Sequence, residues 1–234
     1  MFYYRFNANL VPKNQQNLIK QLFTCKNFEK SDRLLGFSKG RGIAWFLNTQ
    51  AELGVNCVLR HYRRGGLFGK IIKDHYFFNG IEHTRAFQEF NLLEKMHSWG
   101  LPVPRPIAIQ IEKKYYCYRA DIMIEKVENT RDLSQILRNR TLTDEQYQQI
   151  GKLIRQLHNH QVHHTDLNIH NILQDTSGQF WLIDFDKCYI QQGDSWKKHN
   201  LDRLLRSFHK EQNRLNIHFS EQNWQALMNG YQKA

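Results

Sequence analysis

Residues 163–173 read HHTDLNIHNIL, and a second chemically loaded stretch, FWLIDFD, stands at 180–186. Histidine, aspartate and asparagine crowd the first stretch, which closes on the apolar pair Ile172-Leu173. Side chains of these types work in three settings: a metal site, a helix end, or a loop that moves a phosphoryl group. A zinc site would draw on His158, His160, His163 and His164, but their spacing repeats no established ligand pattern and no cysteine stands beside them. Helix-end and loop roles are the expectation for these four. Phosphoryl transfer asks for other groups. One carboxylate accepts the proton of the attacking hydroxyl. An amide oxygen and a second carboxylate hold magnesium, a hard ion that prefers oxygen ligands and keeps several waters. Asp166, Asn171 and Asp184 are residues of these types, in that order along the chain.

Such groups need elements to hold them. Residues 34–47, LLGFSKGRGIAWFL, read as two strands joined by a Gly-x-Gly turn, and VNCVLRHY (55–62) as a third strand. Phe87, Phe90, Leu93 and Met96 recur at helical spacing and predict a helix over 82–98. The prolines of LPVPRP (101–106) stop it. Strands follow at 106–112 and 115–125, so the first half is a strand-rich module with one helix. Thr143 with Gln146 makes a capping box for a helix through about His160, whose apolar face is Tyr147, Ile150, Ile154 and Leu157. NIL (171–173) and FWLIDF (180–185) are two short strands joined by the turn DTSG, and the stretch after Asp186 is helical without a catalytic motif. The expectation is an α+β chain. Residues 1–125 form an antiparallel-sheet N-lobe, residues 126–234 a helical C-lobe, and a cleft lies between them.

The stretch 164–171, HTDLNIHN, resembles the protein-kinase catalytic loop H-R-D-L-x-x-x-N, with histidine, aspartate, leucine and asparagine in register. Ile183-Asp184-Phe185-Asp186 resembles the metal-binding D-F-G. The resemblance implies a two-lobed protein-kinase-like fold with Asp166 as catalytic base and Asn171 and Asp184 as magnesium ligands on ATP. His164 is expected to hold the loop through backbone hydrogen bonds. Asn168 stands where protein kinases usually carry lysine and supplies no positive charge. Asp186 replaces the glycine, either as a further carboxylate near the metal or as a surface residue. In the first lobe, Gly40 and Gly42 take the place of the glycine loop over the phosphates. Arg60 takes that of the phosphate-binding lysine, to which arginine is not equivalent. Glu89 is the expected partner of Arg60, with Glu82 as a rival. IMIE (122–125), ending at Glu125, is the expected hinge that offers backbone groups to adenine.

The bulk numbers exclude some classes and favour others. A chain of 234 residues, 41% hydrophobic and 13% aromatic, is globular material. It has no apolar run of about 18 residues to span a bilayer, and its first residues lack the order of a signal peptide. Four scattered cysteines, Cys25, Cys57, Cys117 and Cys188, signal neither a disulfide frame nor a zinc site and suit a reducing cytoplasm. Lys plus Arg number 33 against 22 acidic residues, a net +11 that asks for an anionic partner: nucleic acid, an anionic membrane or a phosphorylated substrate. Segment 60–73 carries five basic residues and no acid, and is expected to expose Tyr62, Leu67 and Phe68 to a lipid interface. The basic residues do not interleave with aromatics in a nucleic-acid-binding motif. Nucleic acid is therefore not expected, and no obligate protein partner is predicted.

The pieces KGRG, VLRHYRRGGL, TRAFQEFNLL, GLPVPRP, HTDLNIHNIL, IDFDKC and the tail NLDRLLRSFHK together resemble the Kdo kinases of lipopolysaccharide assembly over about residues 35–210. That family implies transfer of the ATP γ-phosphate to the 4-hydroxyl of 3-deoxy-D-manno-octulosonic acid (Kdo) on a lipid A precursor. It also implies a peripheral place on the cytoplasmic face of the bacterial inner membrane, with ATP and magnesium as cofactors. A core heptose kinase, a protein kinase and a non-catalytic nucleotide-binding scaffold are the alternatives. The lack of an A-P-E motif and the short stretch after Asp186 favour a small acceptor over a protein. Intact Asp166, Asn171 and Asp184 argue against the scaffold.

Overall fold

The computed structural model describes residues 1–24, 28–40, 42–64 and 74–233. The chain divides into two compact units, one of Met1–Glu94 with Pro104–Lys126, the other of Lys95–Val103 with the residues from Val127 onward. The first runs β1 (Phe2–Phe6), α1 (Gln16–Thr24), β2 (Leu34–Lys39), β3 (Ile43–Leu47), α2 (Gln50–Leu53), β4 (Cys57–His61), β5 (Tyr76–Phe77), most of α3 (Arg85–Ser98), β6 (Pro106–Lys114) and β7 (Cys117–Glu125). Its strands form one sheet in the order β1-β6-β7-β4-β3-β2, with β5 also on β7. Every described pairing in it is antiparallel. β6 is buried without a break from Pro106 to Ile111, and this stretch is apolar except for Gln110. Such a run marks a strand covered on both faces.

Two of the expected elements begin or end differently. Tyr115 and Tyr116 are not strand residues. Tyr115 has φ +55 and both are exposed, forming the turn between β6 and β7. The helix expected over 82–98 starts at Arg85, because Thr84 closes a turn on the Ile81 carbonyl through both its N–H and its hydroxyl. Gly100, at φ +75, takes the left-handed position that terminates α3.

Among the described residues, the first unit also holds α1 and α2, two α-helices beyond the one expected. α1 buries Ile19, Leu22 and Phe23 in the core that Leu47, Ile107 and Met123 line from the sheet. Burying such a side chain stabilises by roughly 1.5–3 kcal/mol. β1 then completes the sheet beside β6, from Phe2 opposite Glu112 to Phe6 opposite Ala108.

The second unit contains β8 (Arg131–Asp132), α4 (Leu133–Leu137), α5 (Asp144–Asn159), β9 (Val162–His163), β10 (Ile172–Gln174), β11 (Phe180–Leu182), β12 (Tyr189–Ile190), α6 (Lys197–Leu215) and α7 (Glu221–Lys233). Residues 95–103 belong here rather than with the sheet. Trp99 stacks on His160 with ring centroids 4.3 Å apart, and the Leu182 N–H donates to the Pro102 carbonyl. The chain is thus α+β, an antiparallel-sheet unit followed by a mainly helical one.

α5 opens with the expected capping box. The Thr143 hydroxyl accepts from the Gln146 N–H while the Gln146 side chain accepts from the Thr143 N–H. Its inner face meets α7 with almost no space between backbones. A Cβ added at Gly151 would lie 2.0 Å from the Leu227 carbonyl oxygen, and one at Gly230 would lie 2.1 Å from that of Gln148. Alanine normally improves a helix by about 1 kcal/mol over glycine. Here the overlap reverses the sign. Gly151→Ala is expected to lower stability by about 3 kcal/mol, the upper end of overpacking costs, read as a fall in urea midpoint. An unchanged or raised midpoint would show that the two helices can part without cost.

Candidate active site

The stretch 164–171 sits between β9 and β10 as an irregular loop, and its polar side chains mostly hold the loop itself. His164 is fully buried. One ring nitrogen, Nε2, donates to the Ile183 carbonyl at 3.0 Å, and Nδ1 accepts from the Asp166 N–H at 3.3 Å. Burial pushes the His164 pKa down, which keeps the ring in the neutral form this pattern needs. The Asn168 and Asn171 amides both donate to the Asp166 carbonyl, at 2.8 and 2.9 Å. The loop is therefore tied off around the backbone of Asp166, while its carboxylate points outward and is 40% exposed. The Asn171 N–H group is committed to the loop, so the amide oxygen is the end left for a cation.

Asp184 is brought to the same place by a hairpin. β10 and β11 pair with Ile172 opposite Leu182, and the Ile183 N–H donates to the Asn171 carbonyl at 3.0 Å. The strand expected to run to Phe185 stops at Leu182, because Asp184 adopts φ +63. Aspartate tolerates this left-handed backbone, and a non-glycine residue held there is a common feature of functional sites. Phe185 is buried against the His164 ring, centroids 4.9 Å apart. Asp166, Asn171 and Asp184 are thereby assembled on one loop-and-hairpin platform. Among the described residues no three His, Cys, Asp or Glu side chains gather to cage a metal ion. An amide oxygen and a carboxylate still suit magnesium, which binds through one or two side chains together with substrate phosphates.

The stretch after Asp186 was expected to be helical, but it was not expected that one of its helices, α6, supplies side chains to the loop. Asn200, Arg203, Ser207 and Glu211 recur at helical spacing, and each touches the loop. The Asn200 amide donates to the His164 carbonyl at 2.7 Å. Arg203 donates to Asp166 through both Nε and Nη2, and both bonds fall on Oδ1. Ser207 Oγ accepts from the Ile169 N–H at 3.1 Å, and Glu211 lies 3.4 Å from His170. The available signal was a polar stripe on a helix whose apolar face is Leu201, Leu204 and Phe208.

The four histidines each have a structural partner. His160 stacks on Trp99, and His163 bonds Gln191 and stacks on Trp196. His158 is buried on α5, accepts from the Tyr231 hydroxyl at 2.8 Å and donates to Asn200 Oδ1 at 3.1 Å. A chain of bonds thus runs from α7 through α5 and α6 to the loop. It requires neutral His158, whose pKa burial pushes down to about 4, against the opposing pull of the Asn200 bond. Between the ordinary value of 6.5 and about 4, the unfolded chain takes up a proton that the folded chain does not. The stabilisation is complete above that window and is lost as pH falls through it, by up to about 3 kcal/mol. Urea midpoints measured from pH 7 to pH 4 should fall for the parent and fall less for His158→Gln. Parallel curves would remove His158 as the cause.

In the sheet unit, Arg60 lies near the end of β4, and one guanidinium nitrogen contacts both Glu89 oxygens, at 2.5 and 2.6 Å. Glu89, on α3, is buried and also accepts from the Tyr62 hydroxyl at 2.6 Å. Glu82, the rival, is exposed and lies beside His83 instead. Gly40 and Gly42 close the turn between β2 and β3, with the Gly40 N–H on the Gly42 carbonyl. A Cβ at Gly42 would stand 3.0 Å from the Arg63 side chain.

One expectation needs correction. Tyr62 is not exposed for lipid: it is 1% accessible, its hydroxyl bonds Glu89 and its ring lies under Arg60. Leu67 and Phe68 lie outside the described residues. β7 is flanked by β4 and β6, and the Glu125 N–H donates to the Arg105 carbonyl. The Glu125 carboxylate is held by the Arg105 guanidinium at 2.7 and 2.8 Å.

The chain is 52% identical to a 3-deoxy-D-manno-octulosonic acid kinase of Mannheimia succiniciproducens, over 98% of this chain and 96% of that protein. It is 49% identical to the protein of the same name from Pasteurella multocida, over 94% and 92%, and 47% to that of Vibrio vulnificus, over 90% and 88%. Among solved structures it aligns with the Cydia pomonella granulovirus kinase at 13% identity and a TM-score of 0.48, covering 76% of this chain and 58% of that one. The family model described as lipopolysaccharide kinase (Kdo/WaaP) matches residues 27–231, which takes in the loop-and-hairpin platform, the arginine–glutamate pair and α6, and the chain belongs to that family.

Proposed function

We propose that this protein is a Kdo kinase, transferring the γ-phosphoryl group of ATP to the 4-hydroxyl of Kdo on a Kdo–lipid A precursor during lipopolysaccharide inner-core assembly. The observation that carries the reading is the exposed Asp166 carboxylate on a loop tied off around its own backbone, in a chain about half identical to Kdo kinases along nearly its whole length. Asp166 takes the proton of the sugar hydroxyl as that oxygen attacks the γ-phosphorus and the bond to the bridging oxygen of ADP breaks. Asn171 and Asp184 hold magnesium, which neutralises charge on the phosphates when bound. Arg60, oriented by Glu89, contacts the phosphates of ATP, and the Gly40–Gly42 turn brings backbone N–H groups toward them. Such an enzyme mostly positions groups and neutralises charge, and these residue types suit that task.

Association with the cytoplasmic face of the inner membrane fits a net charge of +11 and an acceptor anchored in lipid. No helix among the described residues is long and apolar enough to cross a membrane. The test is incubation of the purified protein with magnesium, ATP and a Kdo–lipid A precursor, followed by mass and phosphate-position analysis of the product. One phosphate on the Kdo 4-hydroxyl is the expected result. Phosphate only on heptose of a longer acceptor would move the reading to a core heptose kinase. Phosphate on generic protein substrates in preference to the glycolipid would replace it with a protein kinase.

A further inference from the structure

The loop lacks the cation that a phosphoryl-transfer loop normally carries, because Asn168 stands at the lysine position. The transferring group is nevertheless anionic, and its charge in the transition state must be met by fixed donors. The structure places one positive charge against the base itself. Arg203 reaches Asp166 from α6, and does so in an informative way. Nε and Nη2 both bond Oδ1, so the second carboxylate oxygen accepts no hydrogen bond among the described contacts. The base can thus be held by the arginine and still receive a proton on Oδ2.

Holding the loop in place does not require this contact. α6 already anchors the loop on either side of Asp166, through Asn200 on the His164 carbonyl and Ser207 on the Ile169 N–H. The Arg203–Asp166 pair is also open to solvent, with side chains 48% and 40% exposed. Exposed pairs contribute at most about 1 kcal/mol. A guanidinium kept half in solvent beside the base has N–H groups left over, and its fork matches the geometry of a phosphoryl oxygen pair.

We infer that Arg203 is the cation of this catalytic loop: it fixes Asp166 through Oδ1 and presents its remaining N–H groups to the transferring phosphoryl group. The inference rests on the kinase reading above and names the group that completes it. In the step, the acceptor oxygen bonds to the γ-phosphorus, its proton passes to Asp166 Oδ2, and the electron pair of the breaking P–O bond stays on ADP. Arg203 meets the charge on the phosphoryl oxygens and neither gains nor loses a proton.

The experiment measures Kdo-acceptor phosphorylation and slow ATP hydrolysis by water side by side, for the parent, Arg203→Ala, and Arg203→Ala combined with Asn168→Lys. Arg203→Ala should lose about a hundredfold or more in kcat in both assays, the scale for removing one transition-state donor. Its thermal midpoint and ATP KM should stay close to the parent's. Added guanidinium ion, or the lysine introduced at 168, should recover at least tenfold, which a structural defect would not allow. A kcat for Arg203→Ala within about threefold of the parent would overturn the inference. So would a loss that neither guanidinium nor the Asn168→Lys change relieves. A parent that hydrolyses ATP but leaves Kdo untouched would remove the acceptor reading, while the hydrolysis assay still decides Arg203. A parent inactive in both would overturn both.

Discussion

Asp166→Asn is expected to lower kcat by about a hundredfold to ten-thousandfold, the range for losing a general base. The amide is nearly isosteric but cannot take the hydroxyl proton. The loop should survive the change, because its ties run to the Asp166 backbone carbonyl and N–H rather than to the carboxylate. What is lost is an exposed pair with Arg203, worth little to the folded state. Thermal midpoints of parent and variant should therefore agree within a few degrees while product formation collapses. An Asp166→Asn or Asp166→Ala protein as active as the parent would return the chain to a nucleotide-binding scaffold.

The second large effect is on folding. Glu89→Ala should destabilise the sheet unit by about 3 kcal/mol, the lower end of the cost of breaking a buried ion pair, because the Arg60 side chain keeps 20% of its surface exposed. For a chain of this size that is a fall on the order of 10 °C in midpoint. The reason is geometric. Glu89 is buried, meets one Arg60 nitrogen with both carboxylate oxygens, and also accepts the Tyr62 hydroxyl, so its removal takes a shared acceptor from an arginine and a tyrosine together. The double variant Arg60→Met with Glu89→Leu separates stability from function. It should regain part of the lost midpoint, since apolar side chains of similar volume often replace a buried ion pair at no net cost, while the Tyr62 hydroxyl still loses Glu89 as an acceptor. It should stay inactive, because the arginine proposed to meet the ATP phosphates is gone. Recovery of activity alongside stability would show that the pair is there only to hold α3 on the sheet.

Both predictions concern residues that the sequence alone singles out, and their legibility has a physical basis. Candidate groups on one loop lie close along the chain, so HTDLNIHN shows histidine, aspartate and asparagine in the register of the kinase catalytic loop. The capping box at Thr143 and the period of α5 are equally local, as is the hairpin of β2 and β3 around Gly40 and Gly42. Errors arose where a local signal met a tertiary demand. FWLIDF reads as one strand by its apolar residues, but the backbone turns at Asp184, φ +63, just after the Ile183 N–H has bonded the Asn171 carbonyl. Tyr62 reads as an interfacial aromatic in a basic segment, yet its hydroxyl is needed by Glu89.

The sequence by itself determined the likeness to kinase motifs: Asp166 as a proposed base, Asn171 and Asp184 as proposed oxygen ligands and Arg60 at the lysine position all rest on residue type, order and spacing matched to those motifs, and such properties are written along one dimension. Only the tertiary structure decided which distant residues complete them. Arg203, Asn200 and Ser207 reach the loop because α6 packs Leu201, Leu204 and Phe208 inward and so turns its polar stripe onto residues 164–169. α1 and β1 join the sheet core because Ile19, Leu22 and Phe23 have apolar surface to bury there. Burial and side-chain reach depend on which elements meet, and no spacing along the chain encodes that.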